Sequence, residues 1–104
     1  MIIYGLKTCD TCRKARKALP EAQFVDIREA GLPEEVRDRA IAAFGDALVN
    51  SRSTTWRGMT EAERADAPEV QLGTHPALMK RPLIDDGGTL HLGWSAEVQR
   101  ALGL

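Results

Sequence analysis

The two cysteines of this chain, Cys9 and Cys12, have two residues between them and follow a short apolar run. Thiols at this spacing can close a small disulfide with little rearrangement when a helix begins at the first one. Unpaired backbone N–H groups and the positive end of the macrodipole favour a thiolate at such a helix start. We therefore expect Cys9 to be the exposed sulfur with a low pKa. Cys12 would then attack a mixed disulfide formed on Cys9 and release the partner thiol. The spacing of the two cysteines therefore predicts a redox-active pair.

Two other interpretations of the cysteine pair remain open. The pair is also half of a zinc site, but tetrahedral zinc needs two more ligands, and the only other soft candidates are His75 and His91. These histidines lack the close spacing of a second ligand pair, so we expect no metal site. Alternatively, both cysteines are core residues, against which the polar Asp-Thr between them argues.

The length and composition indicate one small domain, residues 1–104. The chain has 43% hydrophobic and 28% charged residues, and its formal net charge is −1. This balance argues against nucleic acid or an anionic membrane as a partner. No run has the length of a transmembrane helix, and the N-terminus begins with a strand-like segment, so we expect a cytoplasmic protein. In that compartment a Cys-x-x-Cys pair is more often catalytic or redox-sensing than a permanent bridge.

The elements that must position the cysteines form a strand, loop, helix and strand. The apolar residues 2–4 lead into Gly5 and predict a buried strand. Small and apolar residues recur at helical spacing over residues 11–19, and Pro20 ends that helix. Residues 23–27 predict a second strand, and the strands of such a βαβ unit are parallel.

Basic residues take the other face of the first predicted helix. They are Arg13, Lys14, Arg16 and Lys17. Such a face is most often a solvated helix surface. It also lies close to Cys9, where its charges would help to hold a thiolate or attract an acidic thiol.

A helical insertion is predicted for about residues 33–78. Its first helix begins near Pro33 and ends at Gly45. The apolar positions expected to form its buried stripe are Val36, Ala40, Ile41 and Phe44.

The rest of this region is less regular. A polar loop over residues 50–57 is followed by a helix that should begin at Thr60, where Glu63 completes a capping box. A short helix is expected near residues 69–73.

The C-terminal part predicts two antiparallel strands and a helix. The strands cover residues 80–85 and 89–93, joined by a tight turn at residues 86–88. Ser95 can cap a helix over residues 96–102. Its inward-facing residues are expected to be Val98, Ala101 and Leu102. The summed order of strands and helices matches the thioredoxin-like plan.

Four segments resemble a known family over nearly the whole chain. They are residues 4–15 (YGLKTCDTCRKA), 50–57 (NSRSTTWR), 75–84 (HPALMKRPLI) and 92–95 (LGWS). Their order and spacing are similar to those of the arsenate-reductase-like family. This family includes glutaredoxin-coupled arsenate reductases, the Spx transcriptional regulators and the small YffB-type proteins.

The resemblance implies an α/β, thioredoxin-like fold with the helical insertion and a small mixed four-stranded sheet. It implies that Cys9 is the nucleophile, with Cys12 as a possible resolving thiol. It also implies that Arg81 helps to bind an oxyanion or stabilise the thiolate, next to Pro82 in the cis form. The residues nominated for substrate binding are Thr11, Arg52, Arg57 and Pro82, the two arginines as partners for the carboxylates of glutathione.

Two departures separate this chain from the arsenate reductases. Those enzymes use a further arginine just after the last strand, but residues 92–95 offer none, which weakens binding of a doubly charged oxyanion. They also take the second thiol from glutathione, whereas this chain has Cys12.

The segments around Cys9 and Arg81 are most similar to the YffB-type branch. This resemblance implies a glutathione-dependent thiol reductase that acts on an oxidised thiol substrate. No tightly bound cofactor is expected, and glutathione or a glutaredoxin or thioredoxin system would supply reducing equivalents. Two alternatives stay open: an arsenate reductase in which Cys9 attacks arsenate, and an Spx-like redox-sensing regulator that binds RNA polymerase.

Overall fold

Four short strands form one mixed sheet in the computed structural model, which describes residues 1–104. The strands are β1 (Ile2–Gly5), β2 (Gln23–Asp26), β3 (Leu83–Asp86) and β4 (Thr89–Leu92). Their order across the sheet is β2-β1-β3-β4, with β1 and β2 parallel and the other neighbours antiparallel. The predicted small mixed four-stranded sheet is confirmed.

The chain divides into two compact units, Met1–Ala30 with Arg81–Leu104, and Gly31–Lys80. The helices of the first unit are α1 (Asp10–Ala18), α2 (Ile27–Ala30) and α7 (Ala96–Ala101). Those of the second are α3 (Glu34–Phe44), α4 (Thr54–Arg57), α5 (Glu61–Ala65) and α6 (Pro68–Thr74). A single domain with a helical insertion stays a prediction. None of the helices is long and apolar enough to span a membrane.

The core of the first unit is centred on the two middle strands. Ile3 of β1 is opposite Ile84 of β3, and both are completely buried together with Ala15 of α1. Burying a side chain of this size contributes about 1.5–3 kcal/mol. The partly buried residues packed against them are Leu19, Ala22, Phe24, Trp94 and Leu102. This packing attaches α1 to the sheet.

Strand β2 ends one residue earlier than predicted because Asp26 begins a helix. Its Oδ1 accepts hydrogen bonds from the N–H groups of Arg28 (2.9 Å) and Glu29 (3.2 Å), which caps α2. Ile27 is therefore the first residue of α2, although it is as buried as a strand residue would be. The prediction that residue 27 is buried is confirmed, and the prediction that it belongs to a strand is wrong.

The C-terminal hairpin follows the predicted plan with adjusted ends. Gly87 and Gly88 form its turn with φ of 59° and 103°, a region that glycine adopts without steric cost. Strand β3 begins later than predicted, because Pro82 has no N–H to donate to a neighbouring strand. In α7, Ala101 is exposed and the prediction that it faces inward is wrong. The six-residue helix meets the core only along a narrow stripe that ends at Leu102.

In the second unit α3 and α6 agree closely with prediction. Gly45 ends α3 with a φ of 56°, and Val36 and Ala40 are buried. The other two members of the predicted stripe, Ile41 and Phe44, are half-buried. The completely or nearly completely buried residues that complete this core are Leu48, Met59, Leu72, Leu78 and Met79.

The predicted polar loop contains one helical turn. Ser53 Oγ accepts a hydrogen bond from Trp56 N–H (3.1 Å) and donates one to the Asn50 carbonyl (2.8 Å). Ser53 is thus the N-cap of α4, and the expectation of an irregular loop throughout residues 50–57 is wrong. The residues of α4 show no helical spacing of apolar side chains, and none of them is buried. This helical turn is therefore stabilised by its cap rather than by a buried face.

The predicted capping box at the start of α5 is confirmed and extended by a histidine. Thr60 Oγ1 accepts from Glu63 N–H (3.1 Å), and Glu63 Oε1 accepts from Thr60 N–H (2.9 Å). Glu63 Oε2 lies 2.6 Å from His75 Nε2. The contact with His75, followed by that with the Thr60 backbone, lowers the pKa of Glu63 from 4.5 to about 2.

We predict that Glu63 makes folding sensitive to acid. A carboxyl group whose pKa is lowered by folding stabilises the folded chain above pH 4.5, and this contribution is lost as the pH falls toward 2. Glu63→Gln keeps an acceptor for Thr60 N–H but cannot ionise. Urea unfolding at several pH values should show a smaller loss of stability between pH 5 and 2.5 in this variant. The exposed Glu69→Gln should behave as the unsubstituted chain, and equal losses in all three proteins would contradict the prediction.

Candidate active site

Cys9 occupies the N-cap position of α1. Its N–H donates to the Leu6 carbonyl (3.1 Å), and the N–H of Arg13 donates to the Cys9 carbonyl (3.0 Å) as the helix begins. The Cys9 backbone is extended, with φ of −86° and ψ of 122°, as at other N-caps. Cys9 is half-buried and Cys12 is completely buried. The expectation that Cys9 is the more exposed sulfur is confirmed.

The pKa of Cys9 reflects a balance between burial and groups that favour the thiolate. Burial alone would raise it. The N–H and thiol of Cys12 and the guanidinium and charge of Arg81 oppose burial and lower the pKa below the ordinary value of 9.0. The Cys12 N–H is close to the sulfur without forming a full capping hydrogen bond. The lowered pKa of Cys9 agrees with the expectation from its position at a helix start, but part of the lowering comes from Arg81.

The pKa of Cys12 shifts in the opposite direction. Burial raises it to about 12, and the hydrogen bond and negative charge of Cys9 act in the same direction. A contact with the Leu6 backbone and the charge of Arg81 only partly offset these effects. Both cysteines are free thiols. At neutral pH the pair therefore consists of a sulfur that ionises readily at Cys9 and a protonated sulfur at Cys12.

Arg81 and Pro82 lie immediately before β3 and complete this group of residues. Arg81 is half-buried with its side chain at Cys9, and Pro82 is completely buried. The peptide bond between them is cis, as the resemblance implied. The Pro82 carbonyl accepts a hydrogen bond from Gly93 N–H (2.8 Å), which attaches this segment to the end of β4.

Gly5, the last residue of β1, allows Cys12 to approach the sheet. A Cβ atom at residue 5 would lie 2.5 Å from Cys12 Sγ and 3.3 Å from Cys12 Cβ. Real side chains do not approach so closely, so only glycine leaves room for the buried sulfur. From the sequence, Gly5 is expected only to end a strand. A glycine at the end of an apolar run is also a known sign of close backbone approach.

Asp26 holds the loop that precedes Cys9. Its Oδ2 accepts from the N–H of Lys7 (3.0 Å), while Oδ1 caps α2. The Lys7 carbonyl accepts from Arg13 Nε (3.1 Å), and Lys7 Nζ pairs with Glu29 (3.1 Å). The contact with Lys7 N–H, then those with the α2 backbone, lower the pKa of Asp26. This role of Asp26 was not predicted from the sequence, although an Asp between a strand and an apolar residue is a helix-cap signal.

The nominated binding residues lie in different parts of the chain. Thr11 is exposed in the first turn of α1. Arg52 is exposed before α4, and its N–H donates to Asn50 Oδ1 (3.1 Å). Arg57 is exposed at the end of α4, and its carbonyl accepts from Arg64 (3.0 Å). Both arginines belong to the second unit. Substrate binding by these three residues stays a prediction.

The histidines considered as zinc ligands have other surroundings. His75 pairs with Glu63, and His91 lies in β4 opposite Ile84. No group of three or more His, Cys, Asp or Glu side chains is arranged to hold a metal ion.

The first unit is thioredoxin-like and has two cysteines at a helix start, next to an Arg-Pro pair. The pKa values of these cysteines are shifted in opposite directions. Together these features define a class of thiol-dependent redox proteins. The family model that matches this chain is that of the ArsC family, over residues 4–102. The chain belongs to this family. The predicted thioredoxin-like fold and the resemblance to arsenate-reductase-like proteins are thereby confirmed.

Known relatives cover nearly the whole chain. A curated protein of Haemophilus influenzae, described only as uncharacterized, is 36% identical, with 95% of each chain covered. The solved structure of the YffB (PA3664) protein is 32% identical with a TM-score of 0.84, and 96% of each chain is covered. An arsenate reductase (ArsC) related protein from Brucella melitensis is 31% identical with a TM-score of 0.72 and covers 96% of this chain and 91% of its own. These similarities support the YffB-type branch.

We predict that Arg81→Gln raises the pKa of Cys9. The substitution removes a positive charge and a hydrogen-bond donor that favour the thiolate. Alkylation of Cys9 followed by mass spectrometry between pH 4 and 10 should give a profile displaced to higher pH. Arg100→Gln, which removes an exposed charge from the same unit, should leave the profile in place. An unchanged profile in Arg81→Gln would exclude Arg81 as a stabiliser of the thiolate.

We also predict that Gly5→Ala disturbs Cys12. The added methyl group overlaps the buried sulfur, and overpacking of this kind costs typically about 1–3 kcal/mol. Urea unfolding should therefore show lower stability, and Cys12 should be alkylated faster in the folded protein. Gly58→Ala is the matched control, because the nearest atoms to its added Cβ are at 3.6 Å. Equal stability and equal Cys12 reactivity in both variants would contradict the close approach.

Proposed function

We propose that the protein is a thiol-disulfide oxidoreductase in which Cys9 is the nucleophile and Cys12 the resolving thiol, with glutathione as the reductant. The observation that carries this proposal is the placement of two free thiols in contact, Cys9 half-buried at the N-cap of α1 beside Arg81 and Cys12 completely buried, which shifts their pKa values in opposite directions. Attack requires one thiolate at neutral pH, and release requires a second sulfur held in reserve. The two cysteines meet these requirements without a metal or organic cofactor.

The first step is attack of the Cys9 thiolate on one sulfur of a substrate disulfide. The substrate S–S bond breaks, a Cys9 mixed disulfide forms, and the other substrate sulfur leaves as a thiolate. Arg81 and the start of α1 stabilise the Cys9 thiolate before attack. Cys12 is fully buried, so it does not compete with Cys9 for the incoming disulfide.

Formation of the mixed disulfide changes the surroundings of Cys12. The negative charge of Cys9, which raises the pKa of Cys12, disappears when Cys9 forms its new bond. Arg81, which lowers the pKa of Cys12, remains. Cys12 can then lose its proton to the departing thiolate or water and attack Cys9, which releases the second substrate thiol. Two glutathione molecules reduce the resulting Cys9–Cys12 disulfide and become one oxidised glutathione.

Arsenate reduction is a second candidate that one observation favours. The Arg81 guanidinium at Cys9 can bind an oxyanion as well as stabilise a thiolate. A relative with 31% identity is described as related to arsenate reductase. Against this activity, residues 92–95 contain no arginine for a further contact. Arsenate-dependent oxidation of glutathione, measured without a disulfide substrate, separates the two candidates.

The test of the proposed function compares two cysteine variants. Cys9→Ser should abolish reduction of a small disulfide coupled to glutathione, because no other exposed thiol is present. Cys12→Ser should retain turnover with glutathione and accumulate a glutathione adduct on Cys9 that is visible by mass spectrometry. Turnover in Cys9→Ser, or an adduct on Cys12 in the unsubstituted protein, would contradict the assigned roles.

A further inference from the structure

An open groove of about 740 Å³ lies beside the cysteine loop, within the first unit. One side is the basic face of α1, and the other is formed by the connection from α1 to β2 and by Phe24. Four cationic side chains line it: Lys7, Arg13, Arg16 and Lys17. Lys7 is two residues before Cys9 and Arg13 is one turn after it, so one end of the groove begins at the cysteine loop.

Helical spacing explains why the charges are gathered here. Arg13, Arg16 and Lys17 are three and four residues apart and therefore share one face of α1. Arg16 lies over the ring of Phe24, with its guanidinium carbon 4.1 Å from the ring centroid. This contact holds the Arg16 guanidinium against the Phe24 ring in the groove wall and leaves its N–H donors for a ligand.

Local carboxylates neutralise only one half of this charge. Lys7 pairs with Glu29 and Arg13 with Asp10, both on the surface next to the cysteine loop. Arg16 and Lys17, at the far end, form no ion pair. The chain as a whole has a net charge of −1, so this positive patch is a local feature rather than a consequence of composition. A patch of this kind attracts a negatively charged partner.

We propose that this groove binds an acidic polypeptide segment of the protein whose disulfide is presented to Cys9. The inference rests on the proposed thiol-disulfide activity and adds the substrate class. Small molecules bind mostly in enclosed apolar sites, whereas this groove is open and has four charges along it. Nucleic acid is disfavoured because a phosphate backbone is bound through many successive cationic contacts, whereas only two of the four cations here lack a carboxylate partner and the chain has a net charge of −1.

The chemistry at Cys9 is unchanged by docking. The thiolate attacks one cysteine sulfur of the bound partner, the partner S–S bond breaks, and the electron pair leaves on the second cysteine sulfur. The partner disulfide is the oxidant, and the reduced Cys9–Cys12 pair supplies two electrons. The groove contributes by raising the local concentration and fixing the direction of the partner chain.

The test uses two disulfide-linked peptide dimers of equal length, with glutamates or glutamines around the cysteine. Without docking, the glutamate peptide should react more slowly, because its charge repels the Cys9 thiolate. We expect the reduced, unsubstituted protein to reduce the glutamate peptide about tenfold faster at low ionic strength, and the advantage to disappear at about 0.5 M salt. Release of peptide thiol is the readout.

Paired charge variants locate the effect. Arg16→Gln with Lys17→Gln should remove the advantage of the glutamate peptide and leave the rate with the glutamine peptide unchanged. Arg28→Gln with Arg100→Gln removes the same charge from exposed positions of the same unit outside the groove and should retain the advantage. Lys17→Glu, which leaves the Phe24 contact in place, should reduce the advantage if the double variant folds poorly.

The outcomes distinguish the two proposals. No reaction with either peptide would overturn the thiol-disulfide activity itself. Equal rates with both peptides, or equal losses in the two double variants, would overturn the groove proposal alone. Tighter binding of a single-stranded oligonucleotide than of the glutamate peptide, lost in Arg16→Gln with Lys17→Gln, would assign the groove to nucleic acid instead. A dimer that forms through these residues would assign it to a second copy of this chain.

Discussion

Burial of the Cys12 sulfur against β1 is the constraint on which the candidate site depends. The sulfur lies where a side chain on Gly5 would have to be, and Ala15, one turn further along α1, packs on Ile3 and Ile84. These two contacts fix the start of α1 relative to the sheet. Because Cys9 is the N-cap of that helix, its sulfur is fixed as well, at a point where the helix dipole and backbone favour a negative charge.

The same burial creates the chemical difference between two otherwise identical thiols. Removing Cys12 from water raises its pKa to about 12, while Cys9, which is only half-buried, is stabilised as a thiolate by Cys12 and Arg81. Each thiol affects the other in the direction that increases the difference. A pair of this kind needs no metal to make one thiol the nucleophile and keep the other protonated. When Cys9 is modified, its negative charge is lost and Cys12 gives up its proton more easily.

Two carboxylates organise the surface around this pair without taking part in its chemistry. Asp26 joins the cap of α2 to the N–H of Lys7, and so holds the loop that leads to Cys9. Glu29 neutralises the Lys7 side chain. Asp10 likewise pairs with Arg13, so the groove cations without a carboxylate partner are Arg16 and Lys17, further along α1.

Local signals allowed much of the fold to be predicted from the sequence alone. The period of α1, the capping box of Thr60 and Glu63, and the Gly87-Gly88 turn involve residues close together in the chain, so the amino-acid order determines them. The cysteine spacing at a predicted helix start likewise indicated redox chemistry. The family resemblance already implied that Arg81 acts at Cys9, but only the tertiary structure decided that Gly5 makes room for Cys12 and that Asp26 holds Lys7. These contacts join residues from separate strands and loops, and their distances depend on how the sheet and helices pack rather than on sequence spacing.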